Sequence, residues 1–402
     1  MSKFRAQAAP AISHGYSRTL TLSQNQLRDG NLPAGLSLRD LNFSDPVSVL
    51  HHQDIHLISA GQYLHNTPDH HPLPRANTRA KVLSDWGGFQ TIDNPEWYQG
   101  QTTVVQSVKW QERNSDVAVG PDIPSRAANQ PDHPCNTTAK CLTASVQNKK
   151  WALNVRSRND LIMLNVIQGG DYREAEHWLS EIRKIPLEGF AFGGATGRDI
   201  YITTRQLVKM RDAGDLHQCQ WIHFLGVGTI EAALAYSIIG RAVIETLGLE
   251  IPISFDFSTP FTQSFVRQSI AGYPQLSKSG LVLRYCTGPH SPKLAGSTDP
   301  FPLPISTIGK RLTVGDLCVN SNRYAKHAWD HLTNMMMANH NLDVTMGAID
   351  QAHRLFDAGG DVAAAHIPPW LIRFSEILPE ILASSNAMKL ISKYRHELKI
   401  LR

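Results

Sequence analysis

Charged residues are scarce in this chain, and it has no hydrophobic run long enough to cross a membrane. Only 18% of its 402 residues are Asp, Glu, Lys or Arg, whereas typical soluble proteins have about 25%. No apolar stretch approaches the ~20 residues that a transmembrane helix needs. The first residues, with Lys3 and Arg5 among them, do not resemble a secretory signal. We therefore expect a cytoplasmic protein with no membrane association.

Cysteine is rare, and the excess of positive charge is small. Five Cys without regular spacing exclude a disulfide-rich scaffold and suit a reducing compartment. The formal net charge of +4 is far below the basic excess of a dedicated nucleic-acid binder. Because hydrophobic residues make up 42%, a wholly disordered chain is excluded as well. An ordinary, slightly basic enzyme fits these numbers.

The middle of the chain alternates between strand and helix patterns. Short apolar runs that end in Gly or a polar residue predict strands at 161–167, 189–192, 221–225 and 251–257. Helical spacing predicts helices after residue 172, at 203–212 and at 229–248. This alternation is typical of parallel βαβ units. It favours either a (β/α)₈ barrel or a doubly wound sheet.

The flanking regions have other patterns. Residues 1–45 are polar and irregular with short alternating runs, and 120–150 predict a long loop rich in Pro, Asn and Ala. Beyond residue 310 the pattern is helical, at about 321–338, 344–357, 367–384 and 386–399. We therefore divide the chain into an N-terminal extension (1–45), an α/β domain that is predicted to be the barrel (46–310) and a helical subdomain (311–402).

Carboxylates and glycine pairs follow several of the predicted strands and turns. They are Asp85 with Gly87, Gly88 and Phe89, then Asp122, Gln168, Gly193 with Gly194, and Asp256. Each one alone has a plain structural explanation, since Asp often caps a helix and Gly-Gly forms a turn. Together they suggest a site in which glycines let the backbone approach a ligand and an aromatic side chain stacks on a flat ring.

These segments resemble the tRNA-guanine transglycosylase superfamily. The resemblance is carried by Ser84-Asp85-x-Gly87-Gly88-Phe89-Gln90, Val166-Ile167-Gln168-Gly169-Gly170, Phe190-Ala191-Phe192-Gly193-Gly194, and Gly226-Val227-Gly228-Thr229 followed by Phe255-Asp256. Their order and spacing agree over roughly residues 55–360. The resemblance implies an α/β fold, a TIM (β/α)₈ barrel with an N-terminal irregular or β extension and a C-terminal helical subdomain.

The resemblance also implies a role for each matching residue. Asp256 matches the nucleophile that attacks the sugar C1′, and Asp85 matches the general acid/base that handles the proton of the purine. The matching base-binding groups are Phe89, Asp122, Gln168, Gly193 and Gly194, with Gly87 and Gly88 in the turn beside the base. A carboxylate nucleophile gives a covalent glycosyl-enzyme, which keeps the sugar activated for exchange.

The zinc motif of the tRNA enzymes is degenerate here. Of its three Cys and one His, only Cys318 is kept, and Gly347 stands where the His would fall. Because zinc needs about four well-placed ligands, we expect no metal site and no required cofactor. His327, His331, His340 and His353 are candidates for a rebuilt site, but histidines packed among helices are the favoured interpretation. The cluster of His133, Cys135 and Cys141 is interpreted as a plain loop.

Other departures bear on the nucleic acid. After the nucleophile the chain reads Pro260-Phe261-Thr262 in place of Pro-Thr-Arg, and Pro124 stands two residues after Asp122. This pattern is similar to the DNA-guanine transglycosylase branch of phages and bacteria. It implies a pentosyltransferase that inserts a 7-deazaguanine, such as 7-cyano-7-deazaguanine, into DNA in a bacterial cell or phage-infected host. The target guanosine would be flipped or single-stranded.

Three alternatives remain open at this point. The first is a tRNA-guanine transglycosylase with a degenerate metal site. The second is a non-catalytic subunit that only binds nucleic acid, against which the three carboxylates argue. The third is a barrel hydrolase acting on a glycoside. Arg323 and Lys326 of the helical subdomain are the predicted contacts to the nucleic-acid backbone. The identity of the deazaguanine, the target sequence and the oligomeric state are left undetermined.

Overall fold

Eight parallel strands form one nearly closed barrel in the computed structural model, which describes residues 4–21, 32–33, 35–66, 80–319 and 329–401. The strands are β1 (Gln7–Pro10), β2 (Ile55–Ser59), β3 (Lys81–Asp85), β4 (Val117–Val119), β5 (Ile162–Ile167), β6 (Gly189–Phe192), β7 (Ile222–Phe224) and β8 (Ile253–Phe257). Sequential neighbours pair from β2 to β8, and β1 pairs with β8. A parallel bridge between Ala11 and Leu57 links β1 to β2. The predicted TIM-barrel fold is confirmed.

Helices cover the barrel and extend beyond it. They are α1 (His14–Thr21), α2 (Ala60–Asn66), α3 (Gly88–Asp93), α4 (Gln101–Asn114), α5 (Thr138–Val155), α6 (Tyr172–Ile182), α7 (Ala195–Arg198), α8 (Ile200–Asp212), α9 (Asp215–Gln218), α10 (Ile230–Leu247), α11 (Thr259–Phe265), α12 (Val314–Leu317), α13 (His331–Ala358), α14 (Gly360–His366), α15 (Pro369–Ala383) and α16 (Ala387–Lys393). An antiparallel hairpin, β9 (Ser269–Ser277) and β10 (Gly280–Thr287), follows α11. None of the described helices is both long and apolar enough to pass through a lipid bilayer.

Side chains alternate between the barrel interior and the helical layer along each strand. In β5, Leu164 and Val166 belong to the small interior cluster that also contains Val119, Ala191 and Trp221. In β8, Phe255 packs with Tyr236 of α10 on the outside, with ring centroids 5.6 Å apart. Because side chains alternate with a period of two, Ser254 and Asp256 then point inward.

Two of the sequence-based predictions about the flanks are wrong. The loop predicted for 120–150 ends at the helix α5, which begins after Thr137, whose hydroxyl accepts a hydrogen bond from the Lys140 N–H. The buried face of α5 carries polar residues such as Asn148 and Lys149, and these obscure its amphipathic pattern. The two helices predicted for 321–338 and 344–357 are one helix, α13, through the described residues from 331 onward. Residues 320–328 lie outside the described residues.

The polar stretch inside α13 explains the second error. Asn339, His340 and Asn341 suggested a break between two helices, but all three are buried. Asn341 Nδ2 donates to the carbonyls of Pro260 and Ser269, at 3.2 and 3.0 Å. These bonds join α13 to α11 and to the hairpin, so the polar residues attach the helical region to the barrel rather than interrupt the helix.

The segment assigned to an N-terminal extension contributes the first barrel strand. Residues Gln7–Pro10 pair in parallel with Ser254 to Phe257 of β8. The strand is only four residues long and its buried positions are Ala8, Ala9 and Pro10, which give little strand signal in the sequence. The barrel therefore begins well before residue 46.

Candidate active site

The carboxyl ends of the barrel strands bring most of the predicted site residues to one mouth of the barrel. Asp85 ends β3, Gln168 follows β5 and Asp256 lies near the end of β8. Asp122 follows β4, and Gly193 follows β6. In parallel barrels, the loops at this end form the active site. The charges of Asp122 and Asp256 both raise the pKa of Asp85, as expected of three carboxylates that share one barrel mouth.

Asp122 is a buried carboxylate with two fixed donors. Trp86 Nε1 donates to Asp122 Oδ1 at 3.1 Å, and Gln168 Nε2 donates to Oδ2 at 2.9 Å. Burial raises the pKa of Asp122, while Lys149, Gln168 and Trp86 act in the opposite direction. A carboxylate has about four acceptor sites. Trp86 and Gln168 do not fill these sites, so acceptor capacity remains for donors on a bound molecule.

The positive charge of Lys149 partly compensates the negative charge of the buried Asp122 carboxylate. It extends from α5, its side chain is fully buried, and its Nζ has no hydrogen-bond partner among the described residues. Burial lowers the pKa of Lys149 to about 8, and Asp122 acts against that shift. An unpartnered ammonium group in the interior is costly, and the charge of Asp122 offsets part of that cost. Nothing in the sequence around Lys149 indicates this position.

Asp85 has the environment of a group that can carry a proton near neutral pH. Burial, together with the charges of Asp122 and Asp256, raises the pKa of Asp85 to about 6. The Gly87 N–H and the Ser59 hydroxyl, which lies 3.2 Å from Oδ2, donate to the carboxylate and act in the opposite direction. A catalytic acid or base works best with a pKa near the operating pH. This local environment suits the predicted acid/base role.

Asp256 is held through one of its two oxygens. The Gly226 N–H donates to Asp256 Oδ1 at 2.7 Å, and His223 Nε2 lies 3.3 Å from the same oxygen. The side chain is 13% exposed, and Oδ2 receives neither of these donors. A carboxylate that is restrained through one oxygen, with the other left for a substrate, is suited to nucleophilic attack.

Glycines are required where the turns approach this site. A Cβ on Gly193 would lie 2.7 Å from Gln168 Nε2, and Gly194 has a φ of 58°. Gly87 has a φ of 104°, and a Cβ there would lie 2.6 Å from the Gly61 Cα. A Cβ on Gly88 would lie 2.8 Å from Trp86 Nε1. The glycines thus keep the donors to Asp122 in place.

Phe89 differs from the other site residues because about half of its surface is exposed. It follows Gly88 in α3 and is 49% exposed. A large aromatic ring in solvent beside a buried polar pocket has surface available for stacking on a planar ligand. Its predicted stacking role remains a prediction.

Two predictions concern residues that the structure places elsewhere or does not describe. Arg323 and Lys326, predicted to contact the nucleic-acid backbone, lie in 320–328, outside the described residues. No group of three or more His, Cys, Asp or Glu side chains suited to a metal occurs in the described part of the chain. His340 bridges the Ser306 hydroxyl and the Ala271 carbonyl, and His353 bridges Ser237 and Ile349. His327 is not among the described residues.

The His133, Cys135 and Cys141 cluster is held by its own hydrogen bonds. The Cys135 N–H donates to His133 Nδ1 at 3.0 Å, and Cys141 Sγ lies 3.0 Å from the Cys135 carbonyl. Burial raises the pKa of both thiols, to about 12 for Cys141. These contacts give the segment before and at the start of α5 a local structural role.

Sequence reasoning missed four side chains of the site: Ser59, Trp86, Lys149 and His223. Trp86 lies in the glycine-rich segment between Asp85 and Gly87, and this position could have identified it as a site residue. His223 occupies an inward position of β7, since Ile222 and Phe224 belong to the outer core. A histidine alternating with two apolar residues in a predicted strand could have pointed to the barrel interior.

No protein-family model matches this chain, and no curated protein matches it either.

Proposed function

We propose that the protein is a base-exchange transglycosylase that replaces guanine in DNA by a 7-deazaguanine, 7-cyano-7-deazaguanine or a close relative. The observation that carries the proposal is the pairing of two carboxylates with different environments at the barrel mouth. Asp256 is restrained by the Gly226 N–H, and Asp85 has a pKa raised to about 6. Carboxylates in such contrasting environments are suited to nucleophilic and acid/base roles, respectively.

The first half-reaction forms a glycosyl-enzyme. An oxygen of Asp256 attacks C1′ of the deoxyguanosine, and the C1′–N9 bond breaks with its electron pair moving into the guanine. Protonated Asp85 gives its proton to the departing base. The products are a C1′–O ester on Asp256, neutral guanine and an Asp85 carboxylate.

The second half-reaction reverses these steps with a different base. The Asp85 carboxylate takes the N9 proton of the incoming 7-deazaguanine, and N9 attacks C1′. The ester C–O bond breaks, which returns the Asp256 carboxylate. No redox step or cofactor is needed, and the DNA backbone stays intact throughout.

Base recognition is assigned to the pocket around Asp122. The free acceptor sites of Asp122 suit the adjacent N–H and NH₂ donors of a guanine-like base. Gln168, which donates to Asp122, and the Gly193–Gly194 turn contact the carbonyl and the 7-substituent of the base. Phe89 stacks on the ring, for which its 49% exposure leaves room.

The choice of DNA over tRNA depends on the sequence departures at Pro124, at Pro260-Phe261-Thr262 and in the zinc motif. A duplex guanine cannot be attacked at C1′ while it is stacked, so the substrate is a flipped or single-stranded guanosine. The place of action would be the cytoplasm of a bacterial or phage-infected cell. Arg323 and Lys326 would contact the phosphates.

Incorporation of labelled guanine tests the proposal directly. The purified protein is incubated with labelled guanine and with duplex DNA, single-stranded DNA or bulk tRNA, and label in the polymer is counted. Label in DNA alone is expected. Label in tRNA alone would replace DNA by tRNA as the substrate, and release of free guanine without incorporation would indicate a hydrolase. Binding without either reaction would support a non-catalytic subunit.

Two carboxylate-to-amide variants test the role of Asp256, and the second of them is the matched control. Asp256→Asn removes the proposed nucleophile, and Asp212→Asn changes an exposed carboxylate, 58% exposed, at the end of α8. Only the first variant is expected to abolish incorporation. Equal incorporation by both would overturn the assignment of Asp256.

A further inference from the structure

Three inward-facing side chains of β7 and β8, together with Trp221 just before β7, form a polar column that ends at Asp256. Trp221 Nε1 donates to Ser254 Oγ at 2.7 Å, and Ser254 Oγ lies 2.8 Å from His223 Nδ1. His223 Nε2 lies 3.3 Å from Asp256 Oδ1. The side chains of Ser254 and His223 are fully buried, and Trp221 is 1% exposed. The column therefore has no access to water except at Asp256.

The direction of the hydrogen bonds follows from the donor at the bottom of the column. The indole N–H of Trp221 can only donate, so it occupies one lone pair of Ser254 Oγ. No other acceptor for the hydroxyl hydrogen of Ser254 lies within hydrogen-bond distance among the described residues, so this hydrogen points to His223 Nδ1, which makes Nδ1 the acceptor. In a neutral imidazole the other nitrogen carries the hydrogen. His223 consequently presents an Nε2–H to Asp256.

His223 Nε2 lacks a hydrogen bond of good geometry in the free protein, although Asp256 Oδ1 is the polar atom beside it. Hydrogen bonds in free active sites are often poorly aligned and tighten when the substrate binds. We expect the Asp256 carboxylate to rotate on substrate binding so that Oδ1 comes into line with the N–H. A buried donor with one nearby acceptor favours that rotation, because an unmade hydrogen bond is costly.

We propose that His223 is a positioning residue that selects which oxygen of Asp256 is the nucleophile, an inference that rests on the proposed function. The Gly226 N–H donates to Oδ1, and the His223 Nε2–H lies beside the same oxygen. Oδ2 receives neither of these donors and is the oxygen that attacks C1′. Trp221 and Ser254 do not contact Asp256 through these bonds and act on it indirectly, because they fix the tautomer of His223.

The same two donors act on the covalent intermediate. Once Oδ2 is bonded to C1′, Oδ1 is the carbonyl oxygen of the ester and accepts hydrogen bonds from Gly226 and His223. When the incoming base breaks the C1′–Oδ2 bond, negative charge returns to the carboxylate, and the donors stabilise it. No proton is transferred to or from His223. Donors aimed at developing charge are the general form of oxyanion stabilisation.

Nuclear magnetic resonance tests the tautomer without any need for activity. The protein is labelled with ¹⁵N-histidine, and long-range proton–nitrogen correlations distinguish Nε2–H from Nδ1–H rings. The His223 signals are identified by their loss in His223→Gln. We expect an Nε2–H tautomer in the wild type and a mixed or Nδ1–H tautomer in Ser254→Ala. A wild-type Nδ1–H ring would overturn the inference.

Kinetics of three variants test the positioning role. His223→Gln keeps an amide donor near the place of Nε2, and we expect exchange within about tenfold of wild type. His223→Leu removes the donor, and kcat should fall by about 100-fold, the usual effect of losing one such donor, with little change in KM for the base. The matched control His340→Leu removes another fully buried histidine that bridges a serine and a carbonyl away from the mouth. It should leave kcat nearly unchanged if the variant folds.

The resonance and kinetic experiments distinguish a failure of the proposed function from a failure of the positioning role of His223. If the wild-type protein exchanges no base, the proposed function fails, and the tautomer measurement still decides whether the column has the predicted polarity. If the wild type exchanges bases and His223→Leu, folded by circular dichroism, retains full kcat, the inference alone fails. Equal losses in His223→Gln and His223→Leu would also contradict it, since rescue by an amide donor is its distinctive expectation.

Discussion

The amide of Gln168 donates to Asp122 Oδ2 at 2.9 Å, and Gly193 packs directly against that amide. The bond joins the ends of β4 and β5, and the turn after β6 restrains the donor. A Cβ at residue 193 would lie only 2.7 Å from Gln168 Nε2. The orientation of the Asp122 carboxylate therefore depends on the absence of a methyl group at residue 193, in the turn after β6.

Gly193→Ala should weaken base binding while the fold persists. The new methyl group displaces the Gln168 amide, which leaves Asp122 with one donor fewer, and we expect KM for the base to rise by about tenfold or more, the effect of about 1.4 kcal/mol. Isothermal titration with guanine gives the same comparison in binding alone. Gly347→Ala is the control, because a Cβ there meets nothing within 4 Å and alanine favours the helix. Equal base affinity in both variants would contradict the prediction.

Asp85→Asn should raise the free energy of unfolding at neutral pH while abolishing exchange. The pKa of Asp85 in the folded state is about 6, above the ordinary 3.8, so the folded state binds this proton more tightly than the unfolded chain. Its ionisation therefore reduces stability as pH rises through about 6, by up to about 3 kcal/mol. The amide removes this cost at pH 7 but gains nothing at about pH 4.

Urea unfolding at both pH values measures the effect. The difference between Asp85→Asn and wild type should be positive at pH 7 and shrink in acid. Asp212→Asn, which changes an exposed carboxylate, should show no such pH-dependent gain. A variant less stable than wild type at pH 7 would show that the Asp85 carboxylate is better accommodated in the fold than its burial indicates.

The barrel itself was predictable because its strands between 161 and 257 are continuous apolar runs that end in Gly or polar residues. β6 lies at the predicted residues 189–192. The short strand β1 was not predictable, since Ala and Pro carry almost no strand signal and only the pairing with β8 defines it. Helix α5 was hidden for the opposite reason, because its buried face includes Asn148 and Lys149.

The residues of the candidate site also differ in whether the sequence predicts them. Asp85, Asp122 and Asp256 stand out in the sequence because each is a carboxylate at the end of an apolar run. Lys149 and His223 do not, because a Lys in a helix normally faces solvent and a His in a strand has many structural uses. Only the folded chain places the first behind Asp122 and the second beside Asp256.

Replacing Arg323 and Lys326 together by Ala should weaken binding of all DNA sequences alike. A net charge of +4 means that affinity rests on a local group of cations, and each lost phosphate contact lowers the slope of log K against log salt by about one. We expect a slope smaller by about one to two units in fluorescence anisotropy titrations. Lys109 and Arg113, exposed on α4, form the matched control pair. An unchanged slope would place the phosphate contacts elsewhere.

Chelators should neither unfold nor inactivate the protein. Three of the four ligands are missing from the segment that resembles the zinc motif of the tRNA enzymes. His340 and His353 use both ring nitrogens in hydrogen bonds to Ser306, Ala271, Ser237 and Ile349. Elemental analysis of the purified protein gives the metal content, and thermal unfolding with and without EDTA gives the effect on stability. One tightly bound zinc per chain would show that other Cys and His residues have formed a site.

Asp256→Asn should abolish exchange and leave the fold intact, because the amide has nearly the shape of the carboxylate and can still accept the Gly226 N–H through its oxygen. The variant cannot form the C1′–O bond to a carboxylate, so it accumulates no covalent intermediate. Wild type mixed with guanosine-containing DNA and then denatured should show a protein–DNA band that disappears on adding excess guanine. The variant should bind the same DNA with similar affinity but yield no such band. A denaturation-resistant adduct in Asp256→Asn, or turnover near that of wild type, would show that another side chain is the nucleophile.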